Sequence, residues 1–442
     1  MKFKNILFTL LFLPSFLFAQ QTIKAAFSPA DDYRWAILYK NSPTGNIYVA
    51  QSKIEEGSVT FLLDSKKTEG VYKLVYAAPQ DEYNFDIIYN GHENIELSFT
   101  KENGVIFQQS SGNLLLNSYL ESMATIGEEI ERFYINNSTD TKVLTSLFEK
   151  QLNLQNQFEE DSKNSLANHF IRANKPYIPN EYENKETYIN NLTTNYFSNV
   201  DFKDSVLQSS NFLLRRALAY IAGISHKGMN KESSYNTNID TISKLISNTD
   251  PNFQKSFLNK LWQKLVNYNL KESANYLATT YLIPIAKDLK DDYLVIKLTQ
   301  YKNLSIGNIA PEIVWNIEKN GIQKQQRLSE LAISENYILI FWSSSCSHCL
   351  EQIPMLKALS QTLDSSKYKV IAIGLEDDGV KWKQEILKYP EFIHILKLKK
   401  WENEVVKTYS LTSTPTYFVL DKDKKFIAKP ESIEDLEVFL KK

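Results

Sequence analysis

Cysteine is nearly missing from this chain: Cys346 and Cys349 are the only two among 442 residues. A secreted chain stapled by disulfides sets its cysteines far apart, because closing long loops restrains the unfolded chain most. A pair three positions apart closes almost no loop, so it is poor as a staple and better explained by chemistry. An excess of charge of either sign is missing too. Lys and Arg number 50 against 52 Asp and Glu, which gives no electrostatic reason to expect nucleic acid or an acidic surface as partner. Beyond the N-terminal stretch no apolar run reaches the roughly 20 residues that a membrane-spanning helix needs. No repeat of fixed period and no low-complexity tract is present. What is there is apolar material in quantity, 43% of the residues. That is enough for a sizeable core, and the length calls for two or three domains.

The chain opens MKFKNILFTLLFLPSFLFAQ. Lys2 and Lys4 make a basic start, Ile6 to Phe18 is apolar with one proline, and Ala19 is a small residue at a cleavage position. This three-part pattern predicts a secretory signal peptide over residues 1–19, removed to leave Gln20 first. Pro14 disturbs any reading of the stretch as a spanning helix. Gln20 also gives no cysteine for a lipid anchor, so a soluble mature protein outside the cytoplasm is expected.

From residue 20 to 110 apolar residues alternate with period two: Val59, Phe61 and Leu63; Tyr72, Leu74 and Tyr76; Phe85, Ile87 and Tyr89; Ile95, Leu97 and Phe99. Turn signals such as Glu56-Gly57 and Asn90-Gly91 separate the runs, which predicts a small antiparallel β domain. From 111 to 304 the spacing changes to three and four, as in Leu116, Tyr119, Leu120 and Met123, or Leu144, Leu147, Phe148 and Leu152. This predicts a helical region, broken near Pro176 and Pro179. From 305 to 442 strand and helix patterns alternate, which predicts an α/β domain. Tyr337 to Trp342 and Val370 to Leu375 read as buried strands, Cys349 to Leu363 as a helix, and Tyr417–Asp421 with Phe426–Lys429 as a hairpin.

The cysteines fall where the chemistry is expected. A hydrophobic strand ends at Trp342, three serines follow, and Cys346-Ser347-His348-Cys349 leads into a helix. That order sets Cys346 at a helix N-terminus, where free N–H groups and the helix dipole favour a thiolate. The thiolate is the attacking species in thiol–disulfide exchange, and Cys349, one turn on, is placed to resolve the mixed disulfide. The pair is also half of a zinc site, or a copper site, but no second pair exists. Haem attachment needs a histidine directly after the second cysteine, where Leu350 stands. His348 is either a donor that tunes Cys346 or an exposed spacer.

Further residues give the segment a family. Ile306-Gly-Asn-Ile-Ala-Pro311, Leu328-Ser-Glu-Leu331, Ile340-Phe-Trp342, the Cys346–Cys349 motif, Pro354 and Thr414-Pro-Thr-Tyr-Phe418 together resemble the TlpA/ResA-like thioredoxin family of bacterial envelope proteins. The resemblance covers residues 305 to 442. It implies a thioredoxin-like fold, a redox-active disulfide between Cys346 and Cys349, and a cis proline at Pro415 facing the pair. Thr414 then offers its backbone to an extended substrate segment. Two positions depart from the pattern: Ser345 stands where the family often has Trp, and Gln352 where it tends to have Glu, with Glu351 beside it. More weakly, the front part, for instance Tyr196 to Phe202, resembles the β-rich and helical regions that precede such thioredoxins.

The sequence therefore predicts a periplasmic thiol–disulfide oxidoreductase of the cell envelope. Its partners are protein dithiols and disulfides and an envelope redox protein. The dithiol carries the electrons itself, so no separate cofactor or metal is expected. The alternatives are a partner-binding envelope protein with an auxiliary redox domain, or a peroxide reductase, against which stands the missing Pro-x-x-x-Thr-x-x-Cys arrangement.

Overall fold

A computed structural model describes residues 21–63, 68–319 and 322–441; the expected signal peptide lies outside them. The chain divides into two compact units that meet at residues 264 and 265.

The first unit begins with eight strands: β1 (Gln21–Ser28), β2 (Trp35–Ser42), β3 (Gly45–Lys53), β4 (Ser58–Leu63), β5 (Gly70–Val75), β6 (Asn84–Tyr89), β7 (Ile95–Thr100) and β8 (Gly104–Gln109). They form two four-stranded sheets, ordered β4-β1-β7-β8 and β3-β2-β5-β6. The alternating residues read from the sequence fill one core between them, with Ile23, Phe61, Tyr72, Leu74, Ile87 and Leu97 all buried. Burying one face of each sheet is what makes period two necessary. One pairing departs from the antiparallel expectation: β1 runs parallel to β7. Five strands separate them in the chain, so a hairpin did not fix their direction.

Helices follow: α1 (Ser111–Ile135), α2 (Thr141–Asp161), α3 (Ala167–Ala173) and α4 (Lys185–Thr194). Asp140 caps α2 by accepting from the N–H groups of Lys142 and Val143, and Asn184 caps α4 by accepting from Thr187. Such side-chain acceptors satisfy N–H groups that the helix leaves free. Ile126, Ile130, Phe133, Leu144 and Phe148 make the core between α1 and α2. Longer helices at Phe212–Gly223, Lys231–Ile246 and Pro251–Asn267 continue the region.

The second unit carries helices up to Asn303 and then seven strands: β9 (Val314–Lys319), β10 (Ile322–Arg327), β11 (Asn336–Trp342), β12 (Tyr368–Glu376), β13 (Ile393–Leu398), β14 (Thr416–Asp421) and β15 (Phe426–Ala428). β9 and β10 pair with each other; the other five form one sheet ordered β13-β12-β11-β14-β15. β11 is parallel to β12 and antiparallel to β14. It is buried on both faces. Tyr337, Leu339 and Phe341 enter one core, and Ile338, Ile340 and Trp342 enter the other, which also takes in Cys349, Ile353 and Leu356 of the helix Ser347–Thr362. A continuous apolar run is the signature of a central strand covered on both sides. Among the described residues no helix is long and apolar enough to cross a membrane.

Candidate active site

Two chain segments meet at the cysteines. The first is the turn from β11 into the helix Ser347–Thr362. Cys346 is the N-cap of that helix, with an extended backbone, and its sulfur accepts the N–H of Cys349 at 3.4 Å. The amide N–H of Cys346 donates to Ser343 O at 3.1 Å. Cys346 thus occupies the place where a Ser or Asp side chain usually caps a helix. The second segment is Thr414-Pro415. Phe341 stands opposite Thr416 in the β11–β14 pair, which carries Thr414-Pro415 to the turn after Trp342. The peptide bond between them is cis, and the carbonyl of Thr414 accepts from Cys346 Sγ at 3.4 Å.

The two sulfurs differ in environment. Both are free thiols, Cys346 partly exposed and Cys349 buried. Burial alone would raise the Cys346 thiol. Hydrogen bonds from the Cys349 thiol and N–H, from the Thr414 side chain and from the His348 N–H outweigh it, so the shift is downward. For Cys349, burial leads, and donation of its thiol to Cys346 adds to it. Together they push it up to about 12. Burial disfavours the charged form and hydrogen bonds to the charged form favour it. The arrangement holds one sulfur ready as a nucleophile and the other as its protonated neighbour.

The sequence singled out five residues here. Cys346, Cys349, Thr414 and Pro415 come together. His348 is present through its N–H, while its imidazole is 78% exposed and lies 3.6 Å from Glu351 Oε2. Gln352, at the position of the family's carboxylate, accepts a hydrogen bond from Tyr417 Oη at 2.8 Å.

Glu376 and Lys400 were not read from the sequence. Glu376 ends β12 and is buried. Its carboxylate accepts from the Ser344 N–H at 2.6 Å and from Ser343 Oγ at 3.3 Å. Ser343 Oγ and Ser345 Oγ are 2.9 Å apart, and Lys400 Nζ donates to Ser345 Oγ at 3.0 Å. The three serines are therefore the polar anchor of the cysteine turn. A charged residue, Glu376, closing the apolar run Val370 to Leu375 was the available signal.

The thioredoxin-like family model matches residues 335–426, the stretch that holds both cysteines. Residues 335–426 form a thioredoxin-like domain. The thiol-disulfide oxidoreductase ResA of Bacillus thuringiensis subsp. konkukian is 26% identical over 148 residues, 33% of this chain and 82% of that protein. ResA of Bacillus anthracis is 27% identical over 149 residues, 32% of this chain and 80% of that protein. Among solved structures, a thioredoxin-like protein from Bacteroides caccae covers 60% of this chain and 96% of its own, at 20% identity and TM-score 0.32. The thioredoxin-like reading of the last third is borne out by the family match, and the multidomain architecture by the strands and helices that precede it.

Proposed function

We propose that this protein exchanges electrons with protein disulfides and dithiols in the cell envelope, with Cys346 as nucleophile and Cys349 as resolving thiol. The observation that carries the proposal is the unequal pair: a lowered, partly exposed Cys346 capping the helix, and a buried Cys349 held protonated beside it. The Cys346 thiolate attacks one sulfur of a substrate disulfide. A mixed disulfide forms and the other substrate sulfur leaves as a thiolate, which takes up a proton. Cys349 then loses its proton and attacks Cys346 Sγ. The Cys346–Cys349 disulfide forms and the second substrate thiol is released. Two electrons pass from the pair to the substrate; the reverse sequence oxidises a dithiol. Thr414 and Pro415 line the position that an extended substrate strand takes beside Cys346, and His348 tunes the pair through its N–H.

Envelope location is supported by the basic and apolar pattern of residues 1–19. Protein recovered from the envelope begins at Gln20 on this reading. The proposed division of labour gives residues 305–442 the chemistry and residues 20–110 and 111–304 the selection of partners. Mixed-disulfide trapping tests the roles of the sulfurs. Cys349→Ser accumulates disulfide-linked partners through Cys346, and Cys346→Ser accumulates few. Equal trapping by the two variants overturns the assignment.

A further inference from the structure

The helical part of the first unit contains a cavity of about 590 Å³ that the redox chemistry does not use. It lies along α1 and α4. The apolar stripe of α1 is wider than the core it covers: Leu120 and Ile135 are exposed, as is Ile189 on α4, and all three line the cavity. Mid-helix, α1 spends a glycine at position 127. Glycine there is a much poorer helix former than alanine. Among the described residues no atom requires it, because a Cβ at Gly127 would meet nothing within 4 Å. The cavity wall is left open at that point.

The two ends of the cavity differ. At one end the rings of Tyr134 and Tyr188 stack with centroids 5.2 Å apart, and Tyr134 Oη donates to Glu183 O at 2.9 Å. Lys185 lies one turn before Tyr188 and lines this end; among the described residues it makes no ion pair. Glu131, one turn before Ile135, is on the same rim. Toward the other end stand the apolar side chains of Leu120, Met123 and Ala124; the lining also takes in two polar side chains, Asn174 and the buried Gln151.

Size narrows the occupant. From Leu120 to Ile135 the helix rises about 22 Å, at about 1.5 Å per residue. A volume of about 590 Å³ spread over that length has a mean cross-section of about 27 Å². A partner helix with its side chains is about 10–12 Å across and needs roughly three times that section. An unbranched alkyl chain is narrow enough. Its bonds of about 1.5 Å advance about 1.25 Å each along the chain, so 16 to 18 carbons span about 19–21 Å.

We propose that this cavity binds a single long-chain carboxylic acid, its alkyl chain along α1 over Gly127 and its carboxylate at Lys185. Burial of the methylenes drives binding. Lys185 chooses the anionic head, and Glu131 opposes it.

The test titrates oleate, below its aggregation limit, into the delipidated full-length protein and reads affinity and stoichiometry by calorimetry. One saturable site is expected. Gly127→Leu fills the open wall and replaces a poor helix former with a good one. It should lower affinity at least tenfold without lowering the melting temperature. Lys185→Gln should weaken oleate about threefold to fivefold, the scale of an exposed ion pair, and leave oleyl alcohol unchanged. Glu131→Gln should tighten oleate. Absence of saturable binding to the wild type overturns the proposal. So does equal binding by Gly127→Leu, or binding of phosphatidylglycerol vesicles in place of oleate.

Discussion

Tyr417 donates its hydroxyl to Gln352 Oε1 at 2.8 Å, tying the strand that follows Pro415 to the helix that carries Cys349. Burial, with Cys349 and Glu434 nearby, raises the Tyr417 hydroxyl above its usual range, so it is a firm donor. Gln352→Glu keeps the acceptor for Tyr417 and adds a group able to take the proton that Cys349 must lose. The expected outcome is a several-fold faster release of the mixed disulfide, with a new inflection on the acid side of its pH profile. Single-turnover kinetics against pH measure it. A profile identical to the wild type would show that this position does not handle the proton.

The two thiols should titrate far apart. Cys346 is expected to reach half-maximal reactivity with iodoacetamide at a lower pH than an ordinary thiol, because its hydrogen bonds lower it. Cys349, pushed up to about 12, stays unmodified in the folded protein across the same range. Mass spectrometry of each cysteine peptide after timed alkylation reads both. The imidazole of His348 faces Glu351. His348→Ala should therefore lower the reduction potential of the pair by less than about 30 mV, the step that corresponds to a tenfold change for two electrons.

Glu376 offers a third test. Its carboxylate holds Ser343 and Ser344, and Ser343 O receives the Cys346 N–H. Glu376→Ala leaves a buried backbone N–H without an acceptor and should destabilise the domain by about 2–3 kcal/mol. Glu376→Gln keeps one acceptor oxygen and should cost less. Urea unfolding gives the stabilities. Disulfide reduction per folded molecule should fall in the alanine variant as well, because the turn that positions Cys346 loosens.

A pH dependence is expected from Lys429, whose Nζ lies 5.5 Å from the Phe426 ring centroid. Burial, with Lys271 nearby, lowers it to about 8. The unfolded chain binds this proton up to about 10.4, so between these values it holds more protons than the native state and stability rises with pH. Below pH 8 the cost is constant. Lys429→Met should add about 1–2 kcal/mol at pH 7, after discounting for solvent screening, and should abolish the rise. Unfolding followed at pH 7, 9 and 10.5 checks the slope.

The parts of the fold legible in the sequence are those that bury both faces or repeat a clean period. Tyr337 to Trp342 is apolar at every position and is the central strand β11. The candidate site was legible because strand, turn, helix and cysteine pair are contiguous, and because Thr414-Pro415 is a distinctive dipeptide. The hairpin of β9 and β10 was not read: Ile322-Gln-Lys-Gln-Gln-Arg327 is almost wholly polar, which hides a period of two. Nor was the parallel pairing of β1 with β7, since alternation tells which face is buried and not which strand lies alongside. Leu120 fits the helical stripe of α1 as well as Tyr119 does, yet Tyr119 is buried and Leu120 is exposed. Spacing marks a face; only the neighbouring helices decide how much of that face is covered. Glu376 and Lys400 reach the cysteine turn from positions 30 and 54 residues past Cys346, and local patterns carry no trace of such meetings.

Cys346 and Thr414 are 68 positions apart in the chain, and the Thr414 side chain is one of the groups that lower the Cys346 thiol. Before the last strands are laid down, that contact does not exist, nor does the helix whose first turn Cys346 caps. The unfolded polypeptide therefore carries two ordinary thiols. The lowered Cys346 thiol arrives with the completed domain, and so does the burial that shelters Cys349.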